Sequence, residues 1–217
     1  VGYLGTANVS GLNASLLTSA NIQGLETRDL AVLSATQFAQ VSSANVVGLS
    51  TAQLSSLSTS NTGTLGTSGL VYLTTSAVNN LASLQVANLS SVQVSYLTTD
   101  QLKALTSANI VGLQMGLLDT AKLATIDADD FQGFNTAAVA TLTTALVSGL
   151  STAQLAGLTS VNIQGLDVSG ISSANVLGLQ TDDLQGLTTA QVAAFTTSNI
   201  VGLTTAQLSS LTQLIGG

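Results

Sequence analysis

The 217-residue sequence contains no cysteine, histidine, proline or tryptophan. Without cysteine it can form no disulfide and offers no thiol nucleophile. Without histidine as well, it lacks the usual zinc ligands and cannot build a Ser-His-Asp triad. Charge is also scarce: three Lys+Arg against ten Asp+Glu give −7. Phosphate neutralisation needs clustered basic side chains, so no nucleic-acid partner is expected. Mean hydropathy is +0.51, and residues 131–166 carry no charge. Thr, Ser, Asn, Gln or Gly nevertheless recurs every two or three residues there. No run of about 18 predominantly apolar residues exists, and no membrane span is expected. The opening Val1-Gly2-Tyr3-Leu4 has neither a basic nor an apolar leader segment, so an export signal is absent or already removed. Leu, Val and Ile are abundant at modest net charge, which argues against disorder.

What fills the chain is an eight-residue repeat. The units TTAQVAAF (188–195), TTSNIVGL (196–203) and TTAQLSSL (204–211) set a frame that also fits 172–187, 119–166, 18–113 and 5–12. That makes 24 octads, interrupted by the five-residue units 13–17, 114–118 and 167–171. No linker interrupts the array, so one continuous solenoid over 1–217 is expected. Position 8 is Leu, Ile, Val or Phe in all 24 octads, and position 5 is apolar in 23, the exception being Thr62. Position 4 is Gln, Asn or Asp in 19, and position 1 is Ser, Thr, Asp or Asn in 19. Residues 5–57 and 159–211 run through the same order of unit types at an offset of 154, so the array grew by duplicating blocks. The five-residue units fit three accounts, namely kinks, register shifts or contact sites, and the sequence does not choose among them.

Apolar residues three apart suit one face of a helix and not the alternation of a strand. Thr-Thr-Ala-Gln has the form of a capping box, in which the first hydroxyl accepts from the third helical amide and the Gln reaches back. Thr188 with Gln191 and Thr204 with Gln207 are the expected capping pairs. Ala at position 3 favours helix, and Gly at position 7 suggests a left-handed helix end. Each octad therefore predicts a helix of about one and a half turns. So short a helix cannot stand alone, and its two apolar side chains must be buried against other octads. The expected fold is an all-α solenoid, one very short helix per octad, with a core that includes Leu54, Leu57, Ile110, Leu113, Val192, Phe195, Ile200, Leu203, Leu208 and Leu211. Related units recur three octads apart, as SSANVVGL (42–49) does with 18–25. That spacing favours three octads per coil, a triangular cross-section, over two.

Two resemblances bear on this expectation. Ala-Asn-Ile-Gln-Gly (20–24) resembles the pentapeptide-repeat consensus, which implies a β-solenoid as the alternative fold; true pentapeptide repeats tile by five, however, and this chain tiles by eight. The run LTTAQLSSLT at 203–212 is similar to the LTTAQ-type repeat regions of very large bacterial secreted and cell-surface proteins, and the likeness extends over essentially the whole chain. It implies an extracellular or cell-surface location and a structural or adhesive role. It brings no catalytic residues with it.

Few residues invite a sharper chemical assignment. Asp127, Asp129 and Asp130, with Asp119 one octad earlier, form the densest acidic cluster and the weak calcium candidate. Their spacing matches no known calcium loop. In the octad frame Asp127 is a helix cap and the other two lie in the first turn, where negative charge suits the helix dipole. Asp182 and Asp183 are expected to behave likewise. Glycoside hydrolysis needs paired carboxylates across a cleft, and no aromatic platform or irregular loop is present to build one. No phosphate-binding glycine motif occurs. No enzyme activity and no cofactor are therefore expected. Stacked Thr rows could present a flat ice-binding face, but the first Thr of each pair is needed for capping, and Glu26, Ala82, Asp127 and Gln180 interrupt the rows. Arg28, beside Glu26 and Asp29, Lys103 and Lys122 are expected in solvent, and Tyr3, Tyr72 and Tyr96, all at position 7, along an edge.

Solenoids that stay monomeric need polar terminal units. Val1, Tyr3 and Leu4 resemble the closing half of an octad, and Leu214 and Ile215 follow the last one; neither end is charged. The expectation is a longer array, or copies that stack end to end through these residues into a filament, with lateral bundling of such rods. A fibre, sheath or surface layer is thus the leading functional expectation. The alternatives are a spacer in a giant adhesin and an ice- or surface-binding solenoid.

Overall fold

The computed structural model describes residues 6–216, apart from 47, 66–69, 71 and 72. A typical octad opens with an extended residue, as Ser50 (φ −71°, ψ 161°) or Ser151 (φ −73°, ψ 161°), and continues as a helix, Thr51–Ser55 or Thr152–Ala156. Position 8 returns to extended geometry, as Leu97 does (φ −57°, ψ 132°) before Thr98 (φ −75°, ψ 161°). Two consecutive extended residues turn the chain, so each octad forms one side of a coil. No strand occurs among the described residues. The fold is an all-α solenoid, and the β-solenoid alternative is not supported.

The chain divides into two units, residues 1–105 and 106–217. In the first, helix Thr75–Asn79 packs on Thr51–Ser55, Ser83–Ala87 on Thr59–Gly63, and Thr99–Lys103 on Thr75–Asn79. In the second, Asn162–Gly165 packs on Thr136–Val139, Val168–Gly170 on Thr144–Ser148, and Val176–Gly178 on Thr152–Ala156. Each partner lies three repeat units away. Three sides therefore complete a coil, either three octads or two octads with one of the shortened units.

Positions 5 and 8 supply the core, since both point inward from a helix resting on the coil below. Leu54, Leu57, Ile110, Leu113, Leu203 and Leu211 are buried. Four residues expected in the core are more open: Val192 and Phe195 are half-buried, while Ile200 and Leu208 are 39% and 37% exposed. They belong to the coil 188–211, over which no further coil lies among the described residues.

Two local expectations need correction. First, not every octad is α-helical. All eight octads with Gln at position 4 are, but residues Ile22–Gly24, Ile110–Gly112, Ala128–Gly133, Asn162–Gly165 and Val176–Gly178 form 3-10 turns. Those five octads carry Asn21, Asn109, Asp130, Asn162 and Asn175 at position 4. Asn is one methylene shorter than Gln, and each of these four Asn Oδ1 atoms accepts the position 1 amide at 2.6–2.8 Å. The same bond at 2.7 Å accompanies an α turn at Asn199, so its length alone does not set the turn type. The octads of Asn45, Asn61 and Asn199 keep a short α turn.

Second, glycine at position 7 does not end helices in the left-handed region; Gly149 (φ −84°) and Gly157 (φ −79°) are right-handed. It is needed for close approach. A Cβ on Gly157, Gly165, Gly178 or Gly186 would lie 2.0–2.2 Å from a position 2 carbonyl oxygen of the coil below, that of Ala128, Thr136, Thr152 or Ser160.

The five-residue units now have an account. Asn13, Gln114 and Asp167 adopt one conformation (φ −79°, −82° and −77°; ψ 96°, 95° and 93°), and each opens a single 3-10 turn. Ala14, Met115 and Val168 are buried, as are Leu17, Leu118 and Ile171 three residues on. Each is thus an octad reduced to positions 4–8, retaining both core residues and losing only the outward N-terminal three.

Candidate functional site

The repeated polar arrangement of the molecule is a pair, position 1 with position 4, and its geometry recurs from coil to coil. Ser151 Oγ accepts the Gln154 backbone N–H at 3.1 Å, and Gln154 Oε1 accepts the Ser151 N–H at 3.0 Å. Thr188 with Gln191 (3.2 and 2.9 Å) and Thr204 with Gln207 (3.2 and 2.8 Å) repeat this reciprocal cap. The hydroxyl at position 1 is therefore committed to the cap.

The amide nitrogen has a second task that local spacing did not disclose. Gln154 Nε2 donates to the Leu123 and Ile126 carbonyls, both at 2.9 Å. These are positions 5 and 8 of the unit four back, at the corner of the coil below. Within residues 106–217, Asn162 donates to Phe131 and Phe134, Asn175 to Val147 and Leu150, Gln191 to Ile163 and Leu166, and Gln207 to Val176 and Leu179, at 2.6–3.2 Å. Within residues 1–105, Gln37, Gln53, Gln85 and Gln101 do the same, at 2.6–3.2 Å. Each amide closes its own helix start and ties its coil to the one beneath. A buried carbonyl left without a donor costs about 1–3 kcal/mol, so this ladder is a substantial part of what holds the stack.

The other sequence-derived candidates fall as follows. Asp127 stands at a helix start, but its side chain makes no capping bond. The Asp130 N–H goes instead to the Asp127 backbone carbonyl at 3.1 Å. Burial raises the Asp130 carboxyl above its ordinary pKa, as do the charges of Asp127 and Asp129, while a bond from the Ser107 backbone partly offsets them. Among the described residues no group of three acidic side chains forms a metal-sized site. A surface hollow lined by Asp129, Gln132, Ala156, Gly157, Leu158 and Thr159 holds one carboxylate and no second acid. Asp182 is exposed, whereas Asp183 is buried, and burial followed by Asp182 pushes the Asp183 carboxyl up.

Arg28 pairs with Glu26 at 2.9 Å and lies 3.8 Å from Asp29; that carboxylate, expected at the surface, is fully buried. Asp119 caps its helix through the Lys122 N–H at 2.7 Å, and Lys103 sits in the last turn of Thr99–Lys103. Tyr96 is 54% exposed. Leu214 is half-buried, while Val1, Tyr3, Leu4, Tyr72 and the Ile215 side chain lie outside the described residues. No helix among the described residues is long and apolar enough to cross a membrane.

Residues 22–59 and 176–213 each match the family model of the ALTTAQ repeat. The second match is the first displaced by the offset of the internal duplication. No curated protein matches the chain.

Proposed function

We propose that this chain, which carries ALTTAQ repeats over residues 22–59 and 176–213, is a non-enzymatic structural protein of a bacterial cell exterior. In this proposal it builds a filament, sheath or surface layer by stacking coil on coil. The observation that carries the proposal is the amide ladder. The position 4 amides of Gln53, Gln85, Gln154, Gln191 and Gln207 donate to position 5 and 8 carbonyls of the coil below. The same joint thus recurs along the stack, although octads 119–150 carry Lys122, Asp130, Ala138 and Leu146 there instead. Such a stack has no built-in length, and a heterologous contact that does not close makes a fibre. In the coil 188–211, Ile200 and Leu208 are 39% and 37% exposed, apolar surface that a coil of a second copy would cover in this proposal. The hydroxyls and amides that dominate the octads are engaged in caps and inter-coil bonds, which supports a structural role over a catalytic one. The exterior location rests on the likeness to repeat regions of large secreted and surface proteins.

A spacer role is the second reading, favoured by the duplication at an offset of 154, since block duplication sets a length. Light scattering with negative-stain microscopy separates the two. Stacking copies give rods whose length grows with concentration; a spacer gives rods of one length. A compact monomer at every concentration overturns both.

A further inference from the structure

Position 4 is an amide in most coils, but in octad 180–187 it is Asp183, which is buried. The flanking octads carry Asn162, Asn175, Gln191, Asn199 and Gln207 at this position, and each donates to a carbonyl of the coil below. A carboxylate cannot donate. By the same register Asp183 stands over the Leu155 and Leu158 carbonyls, the corner that an amide would tie.

Asn45 shows what the site looks like when the donor is present. Its Oδ1 accepts the Ser19 N–H, a position 2 amide of the coil below, at 3.1 Å, while its Nδ2 donates to the Leu17 carbonyl at 2.7 Å. Asp183 keeps the first half of that arrangement, accepting from the Ser160 backbone N–H. A protonated carboxyl has the shape of the Asn amide and supplies the missing hydrogen.

We propose that Asp183 is a proton-operated latch between coils: on protonation its hydroxyl donates to the Leu155 or Leu158 carbonyl while the other oxygen keeps the Ser160 amide. The surroundings isolate the effect. Helix Thr181–Leu184 packs against Thr205–Gly216, and residues 151–166, 172–180 and 188–217 contain no charged side chain. Asp182 is the adjacent charge, and Asp167 is the next along the chain. Burial, then the charge of Asp182, lift the Asp183 carboxyl above its ordinary range, and the Ser160 bond partly offsets them. The sign follows. A folded-state pKa above the unfolded one contributes stability that is complete below the unfolded value and is lost as pH rises through the folded value. The latch thus tightens on acidification and loosens towards neutrality. The inference is independent of whether copies polymerise.

The test compares the full chain with Asp183→Asn and Asp182→Asn by urea unfolding between about pH 7.5 and about pH 4. The native protein is expected to gain stability on acidification relative to Asp183→Asn, its unfolding constant changing by up to about tenfold per pH unit between the two pKa values. Asp183→Asn, with a permanent donor, is expected to be the more stable at neutral pH and to converge with the native protein in acid. Asp182→Asn keeps the dependence but moves it to lower pH. A constant difference between Asp183→Asn and the native protein at all pH values overturns the proposal, as does a neutral-pH loss of stability in Asp183→Asn. If that variant fails to fold, amide exchange at Ser160 in the native protein decides. Protection corrected for the intrinsic rate rises on acidification if the latch exists, and unchanged protection refutes it.

Discussion

Replacing Gln154 by Leu tests the ladder most directly. The side chain is 3% exposed and makes four bonds at 2.9–3.2 Å: two accepted, from the Ser151 N–H and hydroxyl, and two donated, to the Leu123 and Ile126 carbonyls. Leucine fills a similar volume and removes all four. The Ser151 cap hydroxyl can still accept the residue 154 N–H. The Leu123 carbonyl keeps its bond from the Ile126 N–H at 3.2 Å, so it is not wholly orphaned. At about 1–3 kcal/mol for each group left unmet, and with partial compensation, the expected loss is about 3 kcal/mol. Ser151→Ala should cost about 1 kcal/mol, the ordinary value of an N-cap. Urea unfolding followed by circular dichroism measures both. Because a solenoid opens locally, hydrogen exchange should show the loss concentrated around 119–158 and absent near 188–211. If Gln154→Leu costs no more than Ser151→Ala, the inter-coil bonds contribute nothing and the argument for the ladder fails.

Two further substitutions and one insertion probe the packing. Gly178→Ala puts a Cβ 2.2 Å from the Thr152 carbonyl oxygen; since backbone must move, a loss of about 2–3 kcal/mol is expected. Gly11→Ala meets its nearest atom, the Asn8 carbonyl oxygen, at 3.8 Å, so thermal melting should show it neutral or stabilised by up to about 1 kcal/mol. Equal effects at the two sites would refute close approach as the reason for glycine. Inserting Thr-Thr-Ala before Asp167 restores a full octad with both core residues in place, and circular dichroism melting should show the fold retained with little change. Collapse of the array would mean that the short units do more than omit positions 1–3.

The two core positions and the caps were legible because they are local or strictly periodic. Leu54 and Leu57, or Thr204 and Gln207, need only the spacing of a helix to be read. Three sides per coil was legible from the similarity between units three octads apart. What escaped depends on which backbone lies one coil below, and no local rule contains that. Glycine at position 7 was assigned to helix endings for this reason, when the Thr152 or Ser160 carbonyl beneath it was the cause. The donor role of position 4 had one available signal. Ala82 has no hydroxyl to cap with, yet Gln85 is still present, and its Nε2 donates to Leu54 and Leu57 at 3.1 and 2.9 Å. An amide retained where its capping partner is missing points to a further partner. Asp183 and Asp130 were grouped with their exposed neighbours because adjacent acids look alike in sequence, whereas position 4 turns inward and position 3 outward.

The scarcity of charge follows from the same geometry. At a complete joint, such as that of Gln154, the position 4 side chain accepts from its own helix start and donates to the coil below at once. Gln and Asn do both with one neutral group. Lys donates without accepting and Glu accepts without donating, and burying either charge in the stack costs more than the bond returns. A chain that places an amide at this joint in 16 of 24 octads is therefore driven towards amides and away from ionisable side chains. Most joints then do not respond to pH or salt, because they contain nothing that titrates and little for salt to screen. Asp29, Asp130 and Asp183 instead place a carboxyl at position 4, and burial raises the pKa of Asp130 and Asp183. Replacing both by Asn should leave an array whose urea midpoint is flat across the mildly acidic range. A residual slope as steep as that of the native protein would mean that the pH response originates outside the ladder.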